Sequence, residues 1–494
     1  MIAVTTFSGR TVAVFGLARS GLAAARALLA GGAKVACWDD GARGRDAAAA
    51  EGLPLVDLRE ADWRGFAALV LTPGVPLTHP EPHWTVKRAG AARVEVIGDT
   101  ELFFRELAKQ ASPPKVIAIT GTNGKSTTTA LSAHLHRSLT TRVAMGGNIG
   151  EAVLGLTPFD ETDVYVLEFS SYQIDLTPTL RPDVGILLNI SPDHLDRHGT
   201  MQHYADVKER LVAGAKFAVV GIDDKWCRNV ALRRLSKGQT TIGVHVRSDP
   251  TRSAEAVTVQ DLQLFAQAGG ALIGADAGGD IFQISPALQV EGRLVSLAGL
   301  ATLRGTHNAQ NAAAAVCAAG ALGLCAVRLD SKINSFPGLA HRMEMLGHVG
   351  ESRFVNDSKA TNADSTAKAL NSFGKNILWI AGGKAKDGGI ESLAPFFGNV
   401  RHVYLIGEAS EAFAATLGQH GVAFSRCGTM ANAVAEIAKG PASPPMGGWA
   451  ATVLLSPACA SFDQFKDFED RGDQFRALVA AIPGFVPFGG KGGA

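Results

Sequence analysis

The apolar run Val116-Ile117-Ala118-Ile119 leads directly into Thr120-Gly121-Thr122-Asn123-Gly124-Lys125-Ser126-Thr127-Thr128 and on into a segment with helical character. A β-branched strand, a short glycine-bearing loop and a helix in that order point to a parallel α/β sheet, which limits the folds open to the chain. Gly121 and Gly124 let backbone N–H groups close around phosphate oxygens. Lys125 adds a point charge, and Ser126 offers a hydroxyl suited to Mg²⁺. Residues 121–127 are therefore the candidate ATP cradle. A Walker loop carries glycine where Ile119 stands, and this departure disfavours motors and GTPases without weakening phosphate binding. The bland alternative, a strand-to-helix turn with no ligand, fits the complete strand, loop and helix context less well.

The same alternation extends in both directions. Short β-branched runs at 11–15, 34–38 and 68–72 alternate with Ala-rich helical runs, and consecutive prolines at 113 and 114 break the pattern. A second α/β segment runs from 115 to a long helix beginning near His307, with Gly-punctuated alternating runs at about 236–303 that predict β-hairpins on its side. After the break at 334–338, strands predicted at 377–380, 402–406 and 452–455 mark a third unit. The expected architecture is α/β in three domains: residues 1–112, Rossmann-like; 113–336, a P-loop ATPase type with added hairpins; and 337–494, again Rossmann-like. The Gly-rich end, 488–494, has nothing to bury and is expected to be a mobile tail.

Composition narrows the function. Lys plus Arg total 47 against 46 Asp plus Glu, so no overall field exists for gripping nucleic acid. Six scattered cysteines without a C-x-x-C pair argue against a disulfide framework or structural zinc and fit a reducing cytoplasm. The uncharged run 312–327 is shorter than the roughly 20 residues of a bilayer span and reads as a buried helix. No membrane insertion is expected.

Further groups suggest chemistry. The turn Gly16-Leu17-Ala18-Arg19-Ser20-Gly21 follows a strand and precedes a helix, but Ala18 stands where a dinucleotide fingerprint needs glycine. NAD is disfavoured; a nucleotide-sugar diphosphate and simple helix packing both remain open. Glu168 ends an apolar run, where a carboxylate is costly without a cation, and is a candidate Mg²⁺ ligand. His194, in Asp193-His194-Leu195-Asp196-Arg197, follows an apolar strand and lies where ligand sites of α/β folds gather. In the helix predicted around 201–216, Tyr204, Val207, Leu211 and Val212 form one apolar face, and Lys208 falls on it. Snorkelling or a salt bridge is the default for such a lysine; carbamylation by CO₂, which would turn a cation into an oxygen ligand for Mg²⁺, is the sharper alternative.

Taken together these motifs resemble the Mur ligase family. The likeness includes Gly146-Gly147-Asn148-Ile149-Gly150, Glu168-Phe169-Ser170-Ser171-Tyr172-Gln173, His307-Asn308-Ala309-Gln310-Asn311, His341-Arg342-Met343-Glu344 and Asn356-Asp357-Ser358-Lys359-Ala360-Thr361-Asn362. It covers most of the chain, and the segment 455–472 is similar to the family's glutamate-adding member. The Asp-Asn-Pro-Arg segment of diaminopimelate-adding relatives is absent.

The resemblance implies an ATP-dependent amide ligase of peptidoglycan synthesis, acting through an acyl phosphate on UDP-N-acetylmuramoyl-L-alanine and D-glutamate. It implies catalytic roles for Lys125, His194, Lys208 and Arg342. Two Mg²⁺ ions would be held by Ser126, Glu168, His194 and a carbamylated Lys208. Asn308, Asn311, Arg342 and Asp357 would reach ATP. Asn148 would contact the muramoyl group, and Lys359, Thr361, Lys386, Ser461 and Phe468 would receive glutamate. Ser20, Asp39 and Gly74 would bind uridine and diphosphate. A cytoplasmic monomer is expected. An L-glutamate-using variant is one alternative, and a nucleotide-binding regulator without chemistry is another.

Overall fold

The structure is a computed structural model that describes residues 1–246, 258–276, 280–284, 290–297, 300–303, 305–324, 329–384, 389–439 and 451–488. The predicted tail beyond Phe488 lies outside the described residues. The chain divides into two compact units, one comprising Met1–Ala298 and Thr306–Ser335, the other Gly299–Gly305 and Phe336–Ala494.

The first unit contains two sheets. Strands β1 (Thr11–Phe15), β2 (Lys34–Trp38), β3 (Ala68–Leu71) and β4 (Glu95–Ile97) form a parallel sheet ordered β2-β1-β3-β4. The chain leaves β1 in one direction and returns on its other side, so the carboxyl end of β1 is a topological switch point, where α/β folds bind ligands.

The second sheet comprises β5 (Lys115–Thr120), β6 (Val143–Gly147), β7 (Val164–Glu168), β8 (Val184–Leu187), β9 (Phe217–Gly221), β10 (Thr241–Val246), β11 (Ala271–Ala275), β12 (Asp280–Ile284) and β13 (Val290–Ser296). Its order is β13-β12-β11-β10-β9-β8-β5-β7-β6. β5 lies between β8 and β7 and is parallel to both, which makes it the switch point of this sheet. The hairpins predicted near 236–303 are present as the antiparallel run β11-β12-β13. β10 instead continues the parallel sheet, and the helix Val259–Gln267 precedes β11.

The helix Asp99–Leu107 explains why these two sheets share one unit. Phe103 stands 5.1 Å from the ring of Tyr165 and 5.4 Å from that of Phe159, so the helix packs its aromatic side against the second sheet. Glu101, fully buried on the same helix, accepts hydrogen bonds from the N–H and hydroxyl of Thr179. The proline break at 113–114 follows that helix without separating its core from the next sheet.

The Ala-rich run forms the helix Thr306–Ala321, buried along most of its length against the helix Lys125–His136. Alanine permits this close approach because it has no side chain beyond Cβ. Among the described residues no helix is long and apolar enough to cross a membrane. The cysteines at 37, 227, 317, 427 and 459 are buried and form no disulfide.

The second unit contains β14 (Glu344–Val349), β15 (Ser352–Asn356), β16 (Ile377–Gly382), β17 (Val400–Ile406), β18 (Phe424–Gly428), β19 (Ala451–Leu455) and β20 (Phe485–Pro487) in the order β18-β17-β16-β19-β15-β14-β20. β15 to β19 pair in parallel, while β14 pairs antiparallel with β15 and β20.

Candidate functional site

The loop after β5 is held open at the switch point by its own glycines and by the strand beside it. Gly121 has φ +151° and Gly124 φ +87°, conformations that L side chains rarely adopt. Asn189, just beyond β8, accepts from the Asn123 N–H at 2.9 Å and donates back to the Asn123 carbonyl at 3.2 Å. Thr122 donates its N–H to the Asn189 carbonyl at 2.8 Å, and its hydroxyl lies 3.2 Å from that of Tyr204. These bonds fix the cradle before any ligand arrives. Sequence reading gave Asn189 no role and Tyr204 only a place on an apolar face, because nothing local shows that residues 66 and 82 positions away will meet the loop.

Lys125 begins the helix Lys125–His136 and folds back, donating to the carbonyls of Gly121 at 2.9 Å and Thr122 at 2.8 Å. Ser126 and Thr127 are buried in the first turn, where helix N–H groups and dipole favour an anion. Asn311, on the helix Thr306–Ala321, donates to the Asn308 side-chain oxygen at 3.1 Å. Its own oxygen lies so close to Gly124 that a Cβ built there would come within 2.1 Å. The structure thus brings Asn308 and Asn311 to the phosphate loop. On the same helix Gln310 donates to Asp223 at 3.0 Å, and Asp223 also meets the His245 ring nitrogen at 2.6 Å, a set that sequence reading missed.

Glu168, at the end of β7, is 2% exposed. One of its oxygens accepts from the Asn148 amide at 2.8 Å, while Oε2 is buried without a hydrogen-bond partner. An orphaned carboxylate oxygen beside a phosphate loop is what a divalent cation requires. Among the described residues no cluster of three or more His, Cys, Asp or Glu is placed to hold a metal. A cation here would draw its remaining ligands from hydroxyl, phosphate or modified lysine oxygens.

The helix Met201–Ala213 buries Tyr204, Val207, Leu211 and Val212, and Lys208 with them at 1% exposure. Its Nζ donates to the Thr120 hydroxyl at 3.2 Å and the Gly121 carbonyl at 3.0 Å, directly beneath the phosphate loop. No described carboxylate pairs with it, so the default salt bridge is not formed. Burial, reinforced by the Lys125 charge, pushes its amine well below the ordinary lysine range.

His194 has a left-handed backbone (φ 53°) that turns its ring over Tyr172, with centroids 5.1 Å apart. Loss of surrounding water lowers its pKa, with Lys125 and Lys208 adding to the effect and Asp193 opposing it. A neutral imidazole is the form that ligates metals. Three residues on, Arg197 lays its guanidinium 4.7 Å over the Tyr172 ring and donates to the Gly74 carbonyl at 2.9 Å.

Gly74 belongs to the loop after β3 in the first sheet. At that sheet's switch point Gly16 has φ +89°, and a Cβ on Gly21 would lie 1.8 Å from the Gly16 carbonyl, so this turn is as tight as a phosphate loop. Asp39 accepts from the N–H groups of Leu17 at 2.6 Å and Gly41 at 2.8 Å and thereby braces the turn. Ser20 lies on the helix Arg19–Ala30 that follows. The neighbouring Asp40 accepts from Trp84 Nε1 at 3.0 Å and from Arg59 at 2.6 Å. Arg45 and Arg59 lie 5.0 and 5.9 Å over Trp38, giving a cationic, aromatic rim that the sequence did not announce.

In the second unit the candidate residues gather at the carboxyl ends of adjacent strands. Asp357 follows β15, is buried, and accepts from the Met343 N–H at 3.1 Å and the Ser456 hydroxyl at 2.8 Å. Burial raises its carboxyl to about 7. Arg342 is flanked by His341 and Met343, both left-handed at φ 61° and 46°, and its Nε is buried without a partner. Backbone strain of this kind collects at functional sites.

The Lys359 ammonium lies 5.1 Å over the Phe468 ring, and the Thr361 N–H donates to the Lys359 carbonyl at 2.9 Å. Arg471, fully buried, donates to the Ser358 hydroxyl and carbonyl at 2.9 and 2.8 Å and to the Cys459 carbonyl at 3.1 Å. It therefore ties the loop bearing Lys359 and Thr361 to the one bearing Ser461. Lys386 lies outside the described residues.

The model of the Mur ligase middle domain matches residues 119–319, and that of the Mur ligase glutamate ligase domain matches residues 341–459. A UDP-N-acetylmuramoylalanine--D-glutamate ligase of Nitrobacter winogradskyi is 53% identical over 490 residues, covering 99% of this chain and 100% of that protein. A protein of the same name from Mesorhizobium japonicum is 52% identical over 498 residues, covering 99% of this chain and 100% of its own. Among solved structures, the UDP-N-acetylmuramate-alanine ligase of Thermotoga maritima superimposes with a TM-score of 0.56 at 16% identity, covering 96% of this chain and 99% of that one, a likeness of fold alone.

Proposed function

The chain belongs to the Mur ligase family, and from that premise we propose how its residues carry out the ATP-dependent joining of D-glutamate to UDP-N-acetylmuramoyl-L-alanine in peptidoglycan synthesis. The substrate carboxylate takes the γ-phosphoryl group of ATP, releasing ADP and forming an acyl phosphate. The glutamate amine then attacks the acyl carbon, and the amide forms as phosphate leaves. Phosphoryl transfer depends on positioning and charge neutralisation, and the residues described above supply both.

Lys125 exchanges its bonds to the Gly121 and Thr122 carbonyls for phosphate oxygens, and N–H groups of residues 121–127 hold the rest of the chain of phosphates. Ser126 and Glu168 would hold one Mg²⁺, and His194 with a carbamylated Lys208 a second. Bound Mg²⁺ supplies neutralisation of the charge that builds on the phosphoryl oxygens. Asn308 and Asn311 face the adenine. Arg342 and Asp357 would reach ATP. Asn148, anchored to Glu168, offers its remaining amide atoms to the muramoyl group. Lys359, Thr361, Lys386, Ser461 and Phe468 receive glutamate, with two ammonium groups for its two carboxylates.

The first sheet binds uridine and diphosphate through Ser20, Gly74 and the turn that Asp39 braces, so residues 1–112 serve the nucleotide-sugar, 113–336 ATP, and 337–494 glutamate. The enzyme acts in the cytoplasm as a monomer; the absence of disulfides among the described cysteines supports the compartment.

One observation carries the mechanism: a buried lysine without an acid partner lies directly under the phosphate loop. An amine kept neutral in this way can attack CO₂, losing a proton and becoming an anionic carbamate beside Lys125. The test is phosphate release by the purified chain with ATP, Mg²⁺ and UDP-N-acetylmuramoyl-L-alanine. Release on adding D-glutamate is expected; release only with L-glutamate would overturn the substrate, and release with neither would leave a nucleotide-binding regulator.

A further inference from the structure

We propose that Arg197 binds the diphosphate of the nucleotide-sugar substrate; the assignment rests on the reading of the reaction given above. Among the described residues no carboxylate pairs with this guanidinium. Of its five N–H donors one goes to the Gly74 carbonyl at 2.9 Å, while its central carbon lies 4.7 Å over the centre of the Tyr172 ring. A planar cation held over a ring and bonded at one corner has its position set, and its remaining donors are ready for the paired oxygens of a phosphate.

Its position determines which anion it meets. Gly74 follows β3, next to the switch point at the end of β1 and the tight turn at Gly16 and Gly21. His194, three residues before Arg197 on the same short segment, lies where the reacting carboxylate is expected. A nucleotide-sugar with its uridine at the first sheet and its carboxylate near His194 carries its diphosphate between them, and Arg197 contacts both borders of that interval.

Joining the two borders does not depend on Arg197 alone. Gly199 is packed so closely against the His79 ring that an added Cβ would come within 2.7 Å of its Nε2, so the loop after β3 already rests on this segment. A guanidinium left with four free donors at an established contact is better explained by a ligand than by the contact.

The test uses UDP and uridine as probes, with binding to the full-length protein measured by calorimetry. Wild type should bind UDP more tightly than uridine. Arg197→Met should weaken UDP at least tenfold and leave uridine within twofold, with Arg197→Lys recovering part of the loss. In turnover the loss should appear in the KM for the UDP-linked substrate more than in kcat. Equal weakening of UDP and uridine would reduce Arg197 to a structural joint, and unchanged UDP binding would remove it from the site; either result overturns the assignment. Failure of the wild type to release phosphate would count against the proposed reaction, while the UDP-against-uridine comparison would still decide Arg197.

Discussion

Replacing Gly124 with alanine should weaken both the nucleotide site and the fold of the first unit, and the two contributions can be separated. Gly124 has φ +87° and ψ −14°, immediately before the helix Lys125–His136. A left-handed conformation costs an L-residue about 1 to 2 kcal/mol. The added Cβ would also come within 2.1 Å of Asn311 Oδ1 and 3.0 Å of its Cγ. Asn311 must therefore swing away and give up its bond to Asn308, a buried interaction worth about 1 kcal/mol. The sum is about 2 to 3 kcal/mol. In a unit of this size that lowers the melting temperature by roughly 3 to 8 °C.

Scanning calorimetry should show the loss in the transition that added ADP raises, since only the nucleotide-binding unit is stabilised by the nucleotide. With Asn311 displaced from its proposed place beside the adenine, the KM for ATP should rise about tenfold, equivalent to about 1.4 kcal/mol. A double-mutant cycle tests the cause. In an Asn311→Ala background the collision is gone and only the backbone strain remains, so Gly124→Ala should cost about 1 kcal/mol less than in wild type. Equal cost in both backgrounds would refute the steric argument.

Lys208→Ala should reduce kcat at least a thousandfold and be partly restored by formate or acetate; full activity would remove Lys208 from the mechanism. Lys208→Met should be equally inactive yet as stable as wild type or more so, because it removes a buried amine that has no acid partner. The sign follows from linkage: with the folded pKa depressed, the unfolded chain binds the extra proton, so the lysine's penalty is greatest at low pH and fades towards the ordinary lysine pKa. Thermal melts across pH should show this slope in wild type and lose it in Lys208→Met. Glu168→Gln keeps an acceptor for Asn148 but loses the charged orphan oxygen, so the free Mg²⁺ needed for half-maximal rate should rise at least tenfold with little change in melting temperature. Asp357 is held at about 7 by burial, so the folded protein keeps a proton that the unfolded chain releases near 4. Stability should fall as pH rises from about 4 to about 7, and Asp357→Asn should flatten that slope; an unchanged slope would count against the raised carboxyl.

What could be read from the chain alone was what depends on neighbours in sequence. The phosphate loop, the buried face of Met201–Ala213 with Lys208 on it, and the Ala-rich helix each follow from local spacing, and all three are present. Contacts between distant residues could not be read in this way. Asn189 clamps Asn123 across the end of β8, and Arg471 joins residues 358 and 459 from a helix more than a hundred positions beyond the first. The helix Asp99–Leu107 precedes the proline break, and its aromatic side packs on the next sheet, a contact that local spacing does not announce. Val259–Gln267 was missed as a helix although Thr258 and Asp261 form a capping box at its start, because the glycine-rich alternation around it resembles strands.

The charges around the loop after β5 bear on why we propose a modified lysine, and not an acid, as the metal ligand at position 208. The Lys125 charge disfavours protonation of Lys208, and both lysines disfavour protonation of His194, while Asp193 and, more weakly, Glu168 act on Lys208 in the opposite sense. A second fixed carboxylate in place of Lys208 would offer a metal ligand but would also pair with Lys125 and hold it away from phosphate. A neutral amine leaves Lys125 on the backbone carbonyls, which are weaker partners than phosphate oxygens and easily exchanged. In the proposed mechanism the negative charge then arrives as a carbamate, formed under the loop from an amine that is uncharged and already in place. On that proposal the same buried position keeps the cradle cationic for ATP and then supplies an anion, which a glutamate at position 208 would not do.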